Sequence, residues 1–115
     1  MASGKVDSGK VSDLLLNIVR GHQTYENLAH NVRDYKYLFL GYAYSRTMRG
    51  SIIIPVNLFV NPPQAYETGF GLDENLGGAR VYCFFKYATD TSIQITGYQD
   101  DYSGGEAYFQ LYGLK

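Results

Sequence analysis

Apolar residues alternate with polar ones along most of this chain, and glycine-bearing or polar breaks separate the alternating runs. Tyr35–Tyr44 (YKYLFLGYAY) is the strongest run, apolar or aromatic at nearly every position. A strand of that kind is expected to be covered on both faces. One face would meet the core of its own domain, and the other a second sheet or another subunit. In Ser51–Val60 (SIIIPVNLFV), Ile52, Ile54, Val56, Leu58 and Val60 fall on one side of a strand. Pro55 cannot donate to a ladder, so that strand belongs at an edge or bulges there. Arg80–Ala88 puts Val81, Cys83, Phe85 and Tyr87 on one side. Ser92–Tyr98 turns Ile93 and Ile95 inward. Ala107–Leu114 sorts Phe109 and Leu111 to one face and Tyr108 and Tyr112 to the other.

The first third of the chain is less regular. Met1–Lys10 is polar and rich in Gly and Ser, and reads as a flexible lead-in. In Val11–Arg20, Leu14, Leu16 and Ile18 alternate as in a strand, while Leu15, Ile18 and Val19 fit a helix almost as well. Strand is the reading, because the rest of the chain is β. Thr24–Asp34 is polar, with Leu28 and Val32 four apart, and suits one helical turn or an irregular connection. Ser45–Gly50 reads as a hairpin-like turn, Asn61–Gly78 as a long surface loop, and Gln99–Glu106 as a glycine-bearing turn.

These runs predict an all-β domain over residues 11–115, an antiparallel β-sandwich or jelly-roll-like fold of about six to eight strands. No crossover helices separate the strands, so consecutive strands are not expected to pair as parallel neighbours. A chain of 115 residues suffices for one core without staples.

Composition adds an aromatic load of 12 Tyr and 6 Phe without Trp. Tyr favours strands and also suits contact surfaces, through a rigid face with a polar tip. The formal charge is −1, so bulk attraction to nucleic acid or to an anionic membrane is not expected. The charge is uneven: residues 1–58 hold seven basic and four acidic groups, and residues 59–115 hold three and seven. No run reaches the roughly 18 apolar residues of a membrane span, and Met1–Lys10 does not resemble a signal peptide.

Candidate chemistry is sparse. Cys83 lies in an apolar run and reads as a buried free thiol, with no G-x-S-x-G turn or triad spacing elsewhere. His22 and His30 lack partners at zinc-ligand spacing. Asp73-Glu74-Asn75 and Asp100-Asp101 are acidic pairs in predicted loops, suited to solvation or to calcium, without EF-hand spacing. Glycines in GFGLDENLGG are not followed by the Lys-Ser/Thr of a phosphate loop. Arg46 and Arg49 flank a turn and read as solvated, or as a grip for an acidic sugar or phosphate. No cofactor, metal or catalytic group is expected, and the chain does not read as an enzyme.

In order along the chain, YKYLFLGYAYS, SIIIPVNLFV, VYCFFKYATDTSIQITGY and the terminal YFQLYGLK resemble the C-terminal receptor-binding (head or tip) domain of bacteriophage tail-fibre and baseplate proteins. That family has a "YKYL" strand, an "(I)IP" strand ending in Phe, a "DTSI"-like hairpin and a "(I/L)YGIK"-like end, here Leu111 to Lys115. The resemblance spans Tyr35–Lys115. It implies a β-sandwich head, usually homotrimeric. Such a head is made in the host cytoplasm, carried at the tail tip of the virion beside other tail proteins, and adheres to a host-surface glycan or protein. It carries over no catalytic residue. Alternatives are a structural tail or baseplate piece without host contact, a carbohydrate-binding module, and a small hydrolase using Asp100 or Asp101. A ligand site is expected on the loops Asn61–Gly78 and Gln99–Glu106, where Tyr66, Tyr98, Asp100, Asp101 and Tyr102 combine stacking rings with hydrogen-bonding carboxylates.

Overall fold

The computed structural model of the chain describes residues 11–19, 25–44, 47–66, 69–76, 79–100 and 107–115. The expected lead-in, Met1–Lys10, lies outside them. Eight strands are β1 (Ser12–Val19), β2 (Tyr25–Asn27), β3 (Tyr37–Tyr44), β4 (Thr47–Pro55), β5 (Phe70–Leu76), β6 (Ala79–Thr89), β7 (Ser92–Asp100) and β8 (Ala107–Leu114). They form two four-stranded antiparallel sheets, β1-β8-β3-β4 and β2-β7-β6-β5. The all-β, antiparallel sandwich-like expectation therefore holds. Strands from the two ends of the chain pair as in a rolled-up sheet, β1 with β8 and β2 with β7, while β3–β4, β5–β6 and β6–β7 are local hairpins.

One core joins both sheets. Leu38, Leu40 and Tyr42 of β3 and Phe109 and Leu111 of β8 face Cys83 and Phe85 of β6 and Ile93 and Ile95 of β7, all buried. This is the period-two pattern read from the sequence. Tyr42 stacks on Phe109 with ring centroids 5.2 Å apart.

Several local readings change. In β1 the register shifts between Leu14 and Leu16, leaving Leu15 unpaired in a β-bulge. The bulge turns Leu15 and Leu16 toward the core and Leu14 outward. Strict alternation would have buried Leu14 instead.

The predicted strand Ser51–Val60 stops at Pro55. Val56–Val60 is a short helix, α1, with Val56, Phe59 and Val60 buried. VNLFV satisfies both periods, since positions 56, 59 and 60 share a helical face as readily as 56, 58 and 60 share a strand face. Pro55 does end an edge strand, as expected. The Val56 N–H then donates to the Lys36 carbonyl at 3.0 Å, tying the helix start to β3's approach.

The predicted loop Asn61–Gly78 contains a 3₁₀ turn, Gln64–Tyr66, and then β5. β5 pairs with β6 along its whole length. A Cβ at Gly71 would overlap the Cys83 carbonyl oxygen, so only glycine permits this close approach of β5 to β6. The predicted turn Ser45–Gly50 likewise gives way to β4 from Thr47, and β7 continues through Asp100.

Thr24–Asp34 holds β2 and a 3₁₀ turn, Val32–Asp34, which Asn31 caps by accepting from the Arg33 N–H at 2.8 Å. The helical-turn half of that reading holds, and the short strand adds an edge to the second sheet.

The outward face of the β1-β8-β3-β4 sheet has its own order. Matching the pairings gives a cross-strand row Leu14–Tyr112–Phe39–Ile53. On one side lies Ser12–Leu114–Tyr37–Pro55, and on the other Asn17–Gln110–Gly41–Ser51. Both faces of β3 are apolar, but only the inner one is covered by the described residues.

Candidate functional site

The sheets' edge strands β4 and β5 meet at one margin of the sandwich, with α1 and the 3₁₀ turn Gln64–Tyr66 packed beside them. Between them lies an open cleft of about 380 Å³, lined by Ile52, Leu58, Tyr66, Gly69, Phe70, Gly71 and Phe84. Its lining is apolar and aromatic apart from Gly69 and Gly71.

Tyr66 is the one predicted site residue placed in this cleft. It is 42% exposed and stands edge-to-face on Phe70, ring centroids 5.5 Å apart at 81°. Phe70 contacts Phe59 of α1 at 6.0 Å, and Phe59 meets Tyr87 of β6 edge-on at 6.2 Å. The exposed ring is thereby rooted in the core through a chain of aromatic contacts, which fixes its orientation.

On β6, Phe84 pairs with Gly71 on one side and Gly97 on the other. Its ring lies 5.6 Å from Tyr82. The Arg80 guanidinium sits 4.3 Å above the Tyr82 ring and donates to both carboxylate oxygens of Asp73, at 2.9 and 2.6 Å. These hydrogen bonds hold the Asp73 carboxyl below its usual range. Asp73 was expected in a loop as a solvated or calcium-binding group. It is instead a strand residue of β5, engaged diagonally across the hairpin.

The strand order sets two of the other predicted site residues apart from Tyr66. Tyr98 and Asp100 lie on β7, paired in register with Cys83 and Val81 of β6, so β6 separates them from β5. Tyr98 falls in the strand read from the sequence, and Asp100, expected in a turn, is a strand position as well. Asp101 and Tyr102 lie outside the described residues. Ile52, Leu58, Phe70 and Phe84 were not singled out for the site. Phe84 carried the one available signal, as the only ring in VYCFFKYA adjoining Phe85 on the opposite face.

Cys83 is fully buried, and burial pushes its thiol pKa far up. It is held as a neutral thiol, as the sequence suggested, and not as a nucleophilic thiolate. His30 is exposed, while His22 and Arg46 lie outside the described residues. Among the described residues no three His, Cys, Asp or Glu side chains gather as a metal site. No helix there is long and apolar enough to cross a membrane.

A second, smaller cleft of about 340 Å³ lies at the end of β3, lined by Tyr35, Lys36, Tyr37, Pro55, Val56 and Asn57. Taken together, the fold and these surfaces define a two-sheet antiparallel sandwich with an aromatic cleft at one margin. In comparisons with known proteins, no family model, curated protein or solved structure matches this chain.

Proposed function

We propose that this chain is a non-catalytic recognition module: a receptor-binding tip domain of a phage or prophage tail protein that adheres to a host-surface glycan or protein. The observation that carries the recognition half is the Tyr66–Phe70–Phe84 cleft. A partly exposed ring anchored to the core is a pre-organised stacking platform, and stacking on such a ring loses little conformational entropy. The open cleft beside it, about 380 Å³, offers room for a sugar ring or an extended side chain. The phage half rests on the order of motifs from Tyr35 to Lys115. In this reading the domain is made in the host cytoplasm, assembles as a homotrimer with other tail proteins, and acts at the tail tip of the virion.

The test is competition. Purified protein is expected to bind the host cell and to block adsorption of the phage that encodes it. Tyr66→Ala, which removes a partly exposed ring, is expected to weaken that binding at least tenfold while leaving the far-ultraviolet circular dichroism unchanged. Adsorption that proceeds unhindered at saturating protein would discard the adhesion reading. The apolar outward face of the β1-β8-β3-β4 sheet favours a second reading, a tail or baseplate assembly piece. Binding to purified tail proteins without binding to cells would select it.

A further inference from the structure

We infer that the outward face of the β1-β8-β3-β4 sheet is a subunit interface, covered by another copy of this same chain. The inference adds a place of contact to the oligomer in the reading above, but it rests on this face alone. Of the seven large apolar side chains exposed among the described residues, four belong to it: Leu14 (43%), Tyr37 (45%), Met48 (55%) and Ile53 (60%). The three cross-strand rows contain no Asp, Glu, Lys or Arg. Even their polar groups bond to one another: the Gln110 amide donates to Asn17 at 3.1 Å, and the Tyr112 hydroxyl lies 3.4 Å from Gln110. Phe39 and Tyr112 meet edge-on at the centre, 6.1 Å apart. The opposite sheet differs. Its outward positions include Lys86, Asp73 and Arg80, the ordinary solvated pattern.

The occupant follows from charge and size. These three rows offer a charged partner no ion pair, whereas a second copy brings equally uncharged rows and no repulsion. The terminal segment Met1–Lys10 is polar and carries Lys5, Asp7 and Lys10, so it is unsuited to bury these rows. Four strands about 4.8 Å apart and three rows about 6.8 Å apart span roughly 400 Å² of projected area. Apolar patches of roughly that size mark association sites. Pairing two such faces approaches the lower bound of about 1,000 Å² for a specific interface, because protruding aromatic rings raise the accessible area above the projection. Three faces about 19 Å wide would also close into a triangle whose centre lies about 5.5 Å from each sheet. That is close to half the ~10 Å spacing that side chains fill between packed sheets.

The experiment is light scattering on the purified chain over a wide concentration range. The expected result is a dimer or trimer mass for the wild type and a monomer for Ile53→Lys and for Leu14→Glu. Both side chains are exposed in the isolated fold, so the variants should keep its β circular dichroism. Tyr25→Lys, on the other sheet, should stay assembled. Met48 provides a readout without substitution: its oxidation by peroxide should slow at least threefold as concentration rises through assembly. A wild type that is monomeric throughout overturns the inference, and so does assembly that persists in the Ile53 and Leu14 variants with Met48 unprotected. Neither result touches host-cell binding, which is measured separately.

Discussion

Gly113, in the terminal Leu-Tyr-Gly-Leu-Lys, lies directly under the ring of Tyr35, and a Cβ there would stand 2.5 Å from the ring's Cγ. Tyr35 is buried, and its hydroxyl donates to Asp13 at 2.7 Å. The Lys115 amine approaches the same carboxylate at 3.5 Å. Burial, and then the hydrogen bond to Asp13, push the Tyr35 hydroxyl well above its usual pKa, so it remains a neutral donor. These contacts join the start of β1, the entry to β3 and the end of β8. Gly113→Ala should therefore lower stability by about 1–3 kcal/mol, the usual cost of overpacking. An unchanged urea midpoint would contradict this account. At this scale the sequence was partly legible. Cys83, Ile93, Phe109 and Leu111 read as core because each sits at the centre of an alternating run. The need for glycine at 113 was not legible, because Tyr35 lies 78 positions earlier and only folding brings it there.

The β6–β7 turn is the element that fastens the crossing segment between β2 and β3. The Val32 N–H donates to the Asp90 carbonyl and the Leu28 N–H to that of Thr91, both at 2.8 Å. The Asp90 carboxylate accepts from the Tyr87 hydroxyl at 2.5 Å and from Arg33 Nε at 2.7 Å. The Tyr87 bond first, and then the Arg33 bond, hold the Asp90 carboxyl below its usual range. A depressed carboxyl contributes stability that is complete above the unfolded value of about 3.9 and disappears as the pH falls through the folded one. Asp90→Asn should therefore melt below the wild type at pH 7, and the gap should close on acidification past about pH 4. A gap that stays constant across that range would remove the carboxylate from the account.

Among the elements, the readable ones were long: β3, apolar at nearly every position, and β6, β7 and β8, which alternate. β5 was read as loop because FGLDENL mixes acids and glycine with three apolar residues. Gly77-Gly78 between it and β6 was the missed hairpin signal. α1 was hidden because five residues fit either period.

At the scale of the whole molecule, each sheet has two inner strands hydrogen-bonded on both sides, β8 and β3 in one and β7 and β6 in the other. The edges are β1, β4, β2 and β5. Amide exchange followed by mass spectrometry should be slowest in the inner four and faster in β4 and β5, whose outer groups lack a sheet partner. Uniform protection across all eight strands would argue against this strand order.

Of the residues expected at a ligand site, Tyr66 lines the cleft, Tyr98 and Asp100 lie on β7, and Asp101 and Tyr102 fall outside the described residues. Loop composition marks where recognition residues can occur, but not which loops converge. Period-two hydrophobicity cut by polar breaks depends only on neighbours in sequence, so the chain by itself determined an all-β fold and most of its core. Strand order, the bulge at Leu15, the Gly113–Tyr35 contact and the three charge-free rows on one sheet face depend on pairings between distant residues. Tertiary structure decided those, because register across strands cannot be expressed in the order along one.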